Sequence, residues 1–223
     1  MEEHYHILEK LIAKGRSNVK LRYATNFSVT KFKQWDAFEL WQNFDTVFLH
    51  ASLDGYGKRG EFQRTGQVWE NVPRERERLR KIAPHVQFMI SPTVSIFNVM
   101  HLPDAHKHWV ETGFVCVDDV IPHTLKNPEE YSIQTLTADL KKRAENKIKA
   151  HINWLEFRRD VSLHKLDIVI DEYEGILRFM NANDQNKQLN QFQARTTKLD
   201  ELRQESTSNI IPELSSILAR PKS

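Results

Sequence analysis

The chain has 223 residues, of which 39% are hydrophobic and 28% charged, and its formal net charge is +2. A chain of this length buries a sizeable core without disulfide or metal staples, and these proportions are those of an ordinary globular protein. The near-balanced charge excludes a global field that would draw in DNA or acidic membranes, and no apolar run approaches the length of a bilayer span.

The first residues, Met1-Glu2-Glu3-His4-Tyr5, are acidic where a signal peptide is basic and then apolar, so a cytoplasmic location is expected. The single cysteine, Cys116, excludes an internal disulfide. It also excludes a cysteine-only zinc site or iron–sulfur cluster held by this chain alone.

In chain order, residues 3–14 place Tyr5, Leu8, Leu11 and Ile12 on one helical face, and Gly15 stops the helix. Val19 to Ala24 is strand-like, Trp35 to Phe44 returns to a helical pattern, and Thr46 to Ala51 is a short β-rich run ended by Asp54-Gly55. Val68 to Ile82 reads as a charged helix with Pro73 near its first turn. Val86 to Ile90 is a further strand closed by Pro92, and Leu102-Pro103-Asp104 opens a helix running to about Glu111. Phe114 to Val117 is expected to be one more short extended piece. Strands alternating with helices in this way predict parallel pairing through crossovers.

The second half changes character. Residues 136–158, 163–180 and 186–205 read as three helices, with Trp154, Leu155, Ile168, Tyr173, Ile176, Leu177 and Phe179 supplying packing faces. The tail after Ile211-Pro212-Glu213-Leu214 is expected to fray. The division is an α/β unit over residues 1–125 and a mostly helical region over 126–223.

In parallel α/β architectures, ligands bind at the C-terminal ends of the strands. Thr25, Asn26 and Ser28 follow the first strand, Ser52, Asp54 and Gly55 the second, and Ser91, Thr93, Ser95 and Asn98 the third. Such groups suit a small polar ligand, and they are equally the usual residues of turns. Arg59, Glu61 and Arg64 lie in the loop or helix start after Asp54-Gly55 and read as solvated, although a guanidinium there is suited to clamping a carboxylate. Asp104 and His108 share a helical face near His101 and His106, but the spacing matches no strong zinc motif. An N-terminal helix Asp with an exposed His is the expected outcome. Cys116 is expected to be a buried small hydrophobe. The run from Arg74 to Lys81 alternates with Glu75 and Glu77, which predicts a salt-bridged helix surface and argues against a nucleic-acid patch.

Three segments, "LRYATNFS" (21–28), "ASLDGYGKRGEFQRTG" (51–66) and "ISPTVSIFNVMHLPD" (90–104), resemble successive segments of twitch-domain-containing radical S-adenosylmethionine (SAM) proteins. The C-terminal "FMNAND" (179–184) and "KLDELR…IIPEL" (198–214) resemble that group's C-terminal region. The resemblance implies an incomplete (β/α)6-type partial barrel with SAM lying across the C-terminal strand ends. Asn26 matches the Thr-Asn motif near the cofactor, and Ser52 and Asp54 match the Ser-Leu-Asp-Gly motif near ribose and methionine. Arg64 matches the downstream arginine that contacts the methionine carboxylate, and Ser91 and Thr93 fall at the next strand end.

The family also carries a CxxxCxxC loop, whose thiolates hold a four-iron four-sulfur cluster, and a Gly-Gly-Glu stretch. Neither appears here, so the resemblance implies a C-terminal portion, inactive by itself, whose first strand has an unpaired edge; either a complementing N-terminal polypeptide supplies the missing strands, or the chain is a fragment produced by truncation or a gene-boundary error. A non-catalytic binding or scaffold protein with a degenerate SAM site is the alternative, and a helical RNA- or partner-binding protein a third.

Overall fold

The computed structural model describes residues 2–158 and 163–219. Helix α1 (Glu2–Ala13) precedes strand β1 (Leu21–Thr25), and a small antiparallel pair, β2 (Lys31–Phe32) and β3 (Trp35–Asp36), leads into α2 (Ala37–Trp41). Strand β4 (Val47–Ala51), helices α3 (Gly57–Gln63) and α4 (Asn71–Ile82), and strand β5 (Gln87–Ile90) complete two crossovers. Then come β6 (Thr93–Val94), α5 (Leu102–Glu111) and β7 (His123–Thr124). The rest is helical: α6 (Ala138–Glu156), α7 (Leu163–Ala182), α8 (Leu189–Arg203) and the short α9 (Thr207–Ile210) and α10 (Ser215–Leu218).

The α/β class is therefore correct. The main sheet has the order β1-β4-β5, all parallel, with Leu21 opposite Val47 and Phe48 opposite Gln87. Its line of bonds runs on past β5: Ile121, His123 and Leu125 N–H donate to Ile90, Pro92 and Val94 carbonyls, and β6 pairs with β7 in parallel. Among the described residues the sheet is open and does not close into a barrel, and the outer edge of β1 has no strand partner.

Three local expectations are corrected. Trp35-Asp36 is extended, because the Asp36 carboxylate accepts from the Phe38 N–H at 3.0 Å and caps a helix that starts only at Ala37. Phe114 to Val117 forms no strand. Gly113 turns with φ 68, and the Phe114 and Val115 N–H groups close the end of α5 by donating to the Trp109 carbonyl. The residues after Leu214 do not fray up to Ala219: α10 follows at Ser215–Leu218 and buries Ile217, while residues 220–223 lie outside the described residues.

Apolar burial, the main favourable term in folding, is divided between two cores. One surrounds the sheet and holds Phe38, Leu49, Leu53, Phe88 and Trp109. The other lies among the helices, with Leu140, Leu155, Tyr173 and Phe192, and draws Phe62, Val94, Ile96 and Val117 from the first half of the chain. Ile168 is half exposed rather than packed, because Leu166 and Val169 take the inward face of α7. The charged helix α4 is also not a purely solvated surface. Arg76 and Arg78 lie 4.3 Å over the Phe88 and Phe38 rings, and Arg78 pairs with Asp36 and Glu75.

Candidate functional site at the strand ends

The parallel register places the ends of β1, β4 and β5 side by side, which brings together residues far apart in sequence. The chain leaves β1 through Asn26 and the buried Phe27, whose φ of 55 is rare for a bulky side chain. The Thr25 hydroxyl accepts from the Phe27 N–H at 3.1 Å and holds this turn. Ser52 N–H then donates to the Thr25 carbonyl and Ser91 N–H to the Ala51 carbonyl, at 2.8 and 2.9 Å, so the serines stand at adjacent strand exits. Both are half-buried, and the Ser91 hydroxyl lies 3.0 Å from Nδ1 of His50.

Asp54 is the hub. Its Oδ2 lies 2.7 Å from Nε of Arg64, and its Oδ1 accepts from the Thr93 N–H at 2.7 Å. Its carbonyl accepts from Asn98 Nδ2 at 3.0 Å and Gln63 Nε2 at 3.2 Å. Arg64 Nη1 donates to Asn26 Oδ1 at 3.4 Å, so four of the six predicted site residues, Asn26, Asp54, Arg64 and Thr93, form one connected network. Ser52 and Ser91 stand beside it. Burial pushes the Asp54 carboxyl above its ordinary range, while the Arg64 guanidinium and the Thr93 N–H act in the opposite sense.

The segment expected to be a solvated loop or helix start is helix α3 and its exit, and Arg59, Glu61 and Arg64 each have a partner. Arg59 forms a two-pronged pair with Glu213, Glu61 accepts from the Trp69 N–H at 2.8 Å, and Arg64 is the Asp54 partner. Gly60 allows α3 to sit this close. A Cβ there would stand 2.7 Å from the Gly55 carbonyl oxygen, within the Asp54 loop.

A cavity of about 220 Å³ adjoins the network, between the strand ends and α8. Asp54, Thr93 and Ser95 lie on its sheet side, and Thr196, Leu199 and Arg203 on its helix side. The helical residues were missed in the sequence, because only the fold brings α8 over strands about a hundred residues away.

The other singled-out residues do not join this site. Cys116 is exposed, contrary to expectation, because Phe114 and Val115 on one side and Val117 on the other take the buried positions. Asp104 pairs with Lys147 on α6. His108 is partly covered, its ring stacked 4.2 Å from Tyr56. His106 is fully buried, with Nε2 3.0 Å from the Val117 carbonyl and Nδ1 within 3.1 Å of both the Tyr173 hydroxyl and His151 Nε2.

Among the described residues no helix is long and apolar enough to cross a membrane. Neither a protein-family model, nor a curated protein, nor a solved structure matches the chain.

Proposed function

We propose that this chain provides the cofactor-facing strand ends of a radical SAM enzyme, as its C-terminal part, and that it is catalytically incompetent alone. The observation that carries this reading is the convergence of Asn26, Asp54, Arg64 and Thr93 at the C-terminal ends of parallel strands. The resemblance had singled out these residues from three separate segments. The finer fold reading, an incomplete (β/α)6-type barrel, belongs to the same proposal. The outer edge of β1, which has no strand partner among the described residues, is where a complementing polypeptide would add a strand, since the free side of an edge strand is a template for pairing.

The residues fit SAM. A guanidinium has five N–H donors: Arg64 Nε lies 2.7 Å from Asp54 Oδ2 without a hydrogen bond among the described residues, Nη1 donates to Asn26, and Nη2 is offered to a carboxylate. The Ser52 and Ser91 hydroxyls offer both donors and acceptors to an ammonium or a sugar. They do not fit a four-iron four-sulfur cluster: such a cluster is held by several thiolates, and the chain has one cysteine, exposed Cys116. When bound elsewhere in the assembly, the cluster would supply the electron for reductive SAM cleavage. The work assigned to this chain is holding and orienting the cofactor.

A second reading, a non-catalytic binding or scaffold protein, is favoured by the internal satisfaction of the Asp54 carboxylate, both of whose oxygens already have protein partners. Calorimetric titration with SAM separates the two readings, followed by anaerobic cluster reconstitution with and without a polypeptide bearing a CxxxCxxC loop. The enzyme reading expects saturable SAM binding that Arg64→Met weakens, and SAM cleavage only in the mixture. Absence of SAM binding both by the chain and by the mixture would sink it.

A further inference from the structure

The cavity beside the strand-end network has a composition of its own. Its side walls are apolar, from Phe62, Phe97, Leu125, Tyr131 and Leu199. Two polar groups stand on the α8 wall. Thr196 is 1% exposed, and its hydroxyl has no hydrogen-bond partner among the described residues. A buried hydroxyl without a partner costs free energy that a ligand can recover. Arg203, in the last turn of α8, makes no ion pair among the described residues and donates only to the Phe62 carbonyl, at 3.3 Å.

Size and spacing narrow the ligand. An apolar cavity of about 150 Å³ accepts benzene, so one of about 220 Å³ holds a single ring with a short chain. Thr196 and Arg203 are two helical turns apart on one face, a separation of roughly 10 Å along the axis. That span matches a ring with a polar substituent at one end and a short acid at the other. The charge favours an acid, since the one carboxylate in the wall, Asp54, is already paired with Arg64.

We infer that this cavity binds a small single-ring aromatic carboxylic acid with a hydroxyl or similar polar group at its far end, the carboxylate on Arg203 and the polar group on Thr196. Its role as the molecule acted on rests on the proposed reading of the strand ends. Its binding does not.

The test uses the full chain and three probes followed by ligand-observed NMR titration: 3-(4-hydroxyphenyl)propionate, 3-phenylpropionate and 3-(4-hydroxyphenyl)propan-1-ol. The hydroxy acid is expected to bind saturably and about fivefold more tightly than either probe that lacks one polar end, the worth of about 1 kcal/mol per contact. Arg203→Met should erase the preference for the acid and keep that for the hydroxyl, while Thr196→Val should do the reverse. Thr196→Val removes an unpartnered hydroxyl at constant volume and should not lower stability, so loss of the hydroxyl preference is not a folding defect. No saturable binding of any probe, or preferences that survive both variants, overturns the inference. A parallel SAM titration separates the two proposals. SAM binding without probe binding refutes the cavity assignment alone, and probe binding without SAM binding by either the chain or the mixture supports the cavity and refutes the cofactor reading.

Discussion

Lowering the pH from about 8 to about 5 should destabilise this protein through a buried histidine pair that its fold keeps neutral. The Val117 carbonyl can only accept, so the proton of neutral His106 sits on Nε2. Its Nδ1 then accepts, from the Tyr173 hydroxyl at 2.9 Å and from His151 Nε2 at 3.1 Å. A proton added to Nδ1 would oppose the His151 N–H in a site closed to water. Burial accordingly lowers His106 to about 4, and burial together with His106 lowers His151 to about 2.

The unfolded chain takes up these protons near pH 6.5 and the folded chain does not. The stabilisation is thus complete above about 6.5 and is lost progressively as the pH falls towards the folded-state values. At about pH 5 each histidine accounts for roughly 2 kcal/mol, or about 4 for the pair, a large share of a typical stability of about 5–15 kcal/mol. Urea denaturation followed by circular dichroism across this range measures it. His106→Gln/His151→Leu should flatten the dependence by most of that amount. A wild-type stability that is the same at both pH values, or a fall that the double variant keeps, would refute the reasoning.

Three further outcomes follow from the packing. Gly60→Ala drives a methyl group against the Gly55 carbonyl and should cost about 1–3 kcal/mol by chemical denaturation, where an Ala in an uncrowded helix would stabilise. Arg64→Met removes the cation that holds the Asp54 carboxyl down while burial pushes it up, so the folded-state value rises further above the unfolded one. The penalty of that variant should be smaller at about pH 4 than at about pH 7, the reverse of the histidine trend, by the same denaturation assay. Leu214→Ala should lower stability by about 2–5 kcal/mol, because the residue is fully buried in the helical core. A loss below about 0.5 kcal/mol would refute the burial of this residue in the helical core.

Local pattern was enough for much of this architecture. The three sheet strands and α5 announce themselves by apolar runs, Pro and Gly punctuation and a Pro at the helix start. That the exits of β1, β4 and β5 meet was legible, because parallel pairing forces strand ends together; Asn26, Ser52, Asp54, Ser91 and Thr93 lie at those exits, while Arg64 reaches them from the end of α3. What sequence periodicity cannot carry is a partner chosen by tertiary structure. Arg59 looked solvated because Glu213 is 154 residues away. His106 and His151 show nothing of each other at a separation of 45 residues. Thr196 and Arg203 lie on a helix whose pattern gives no reason to look towards the sheet. Cys116 went wrong for a local reason: in a short apolar stretch without regular structure, alternation does not say which side chain turns out.

The two hydrophobic cores have a thermodynamic consequence beyond the site itself. The two cores share α5, whose Leu102 belongs to the helical core and whose Ala105 and Trp109 belong to the sheet core. Local unfolding of one unit need not require that of the other. A molecule lodged between the strand ends and α8 touches both, so it would be released by the opening of either. Occupancy would then bind two separate melting equilibria into one, and amide exchange in α8 would slow in step with exchange in β4 and β5.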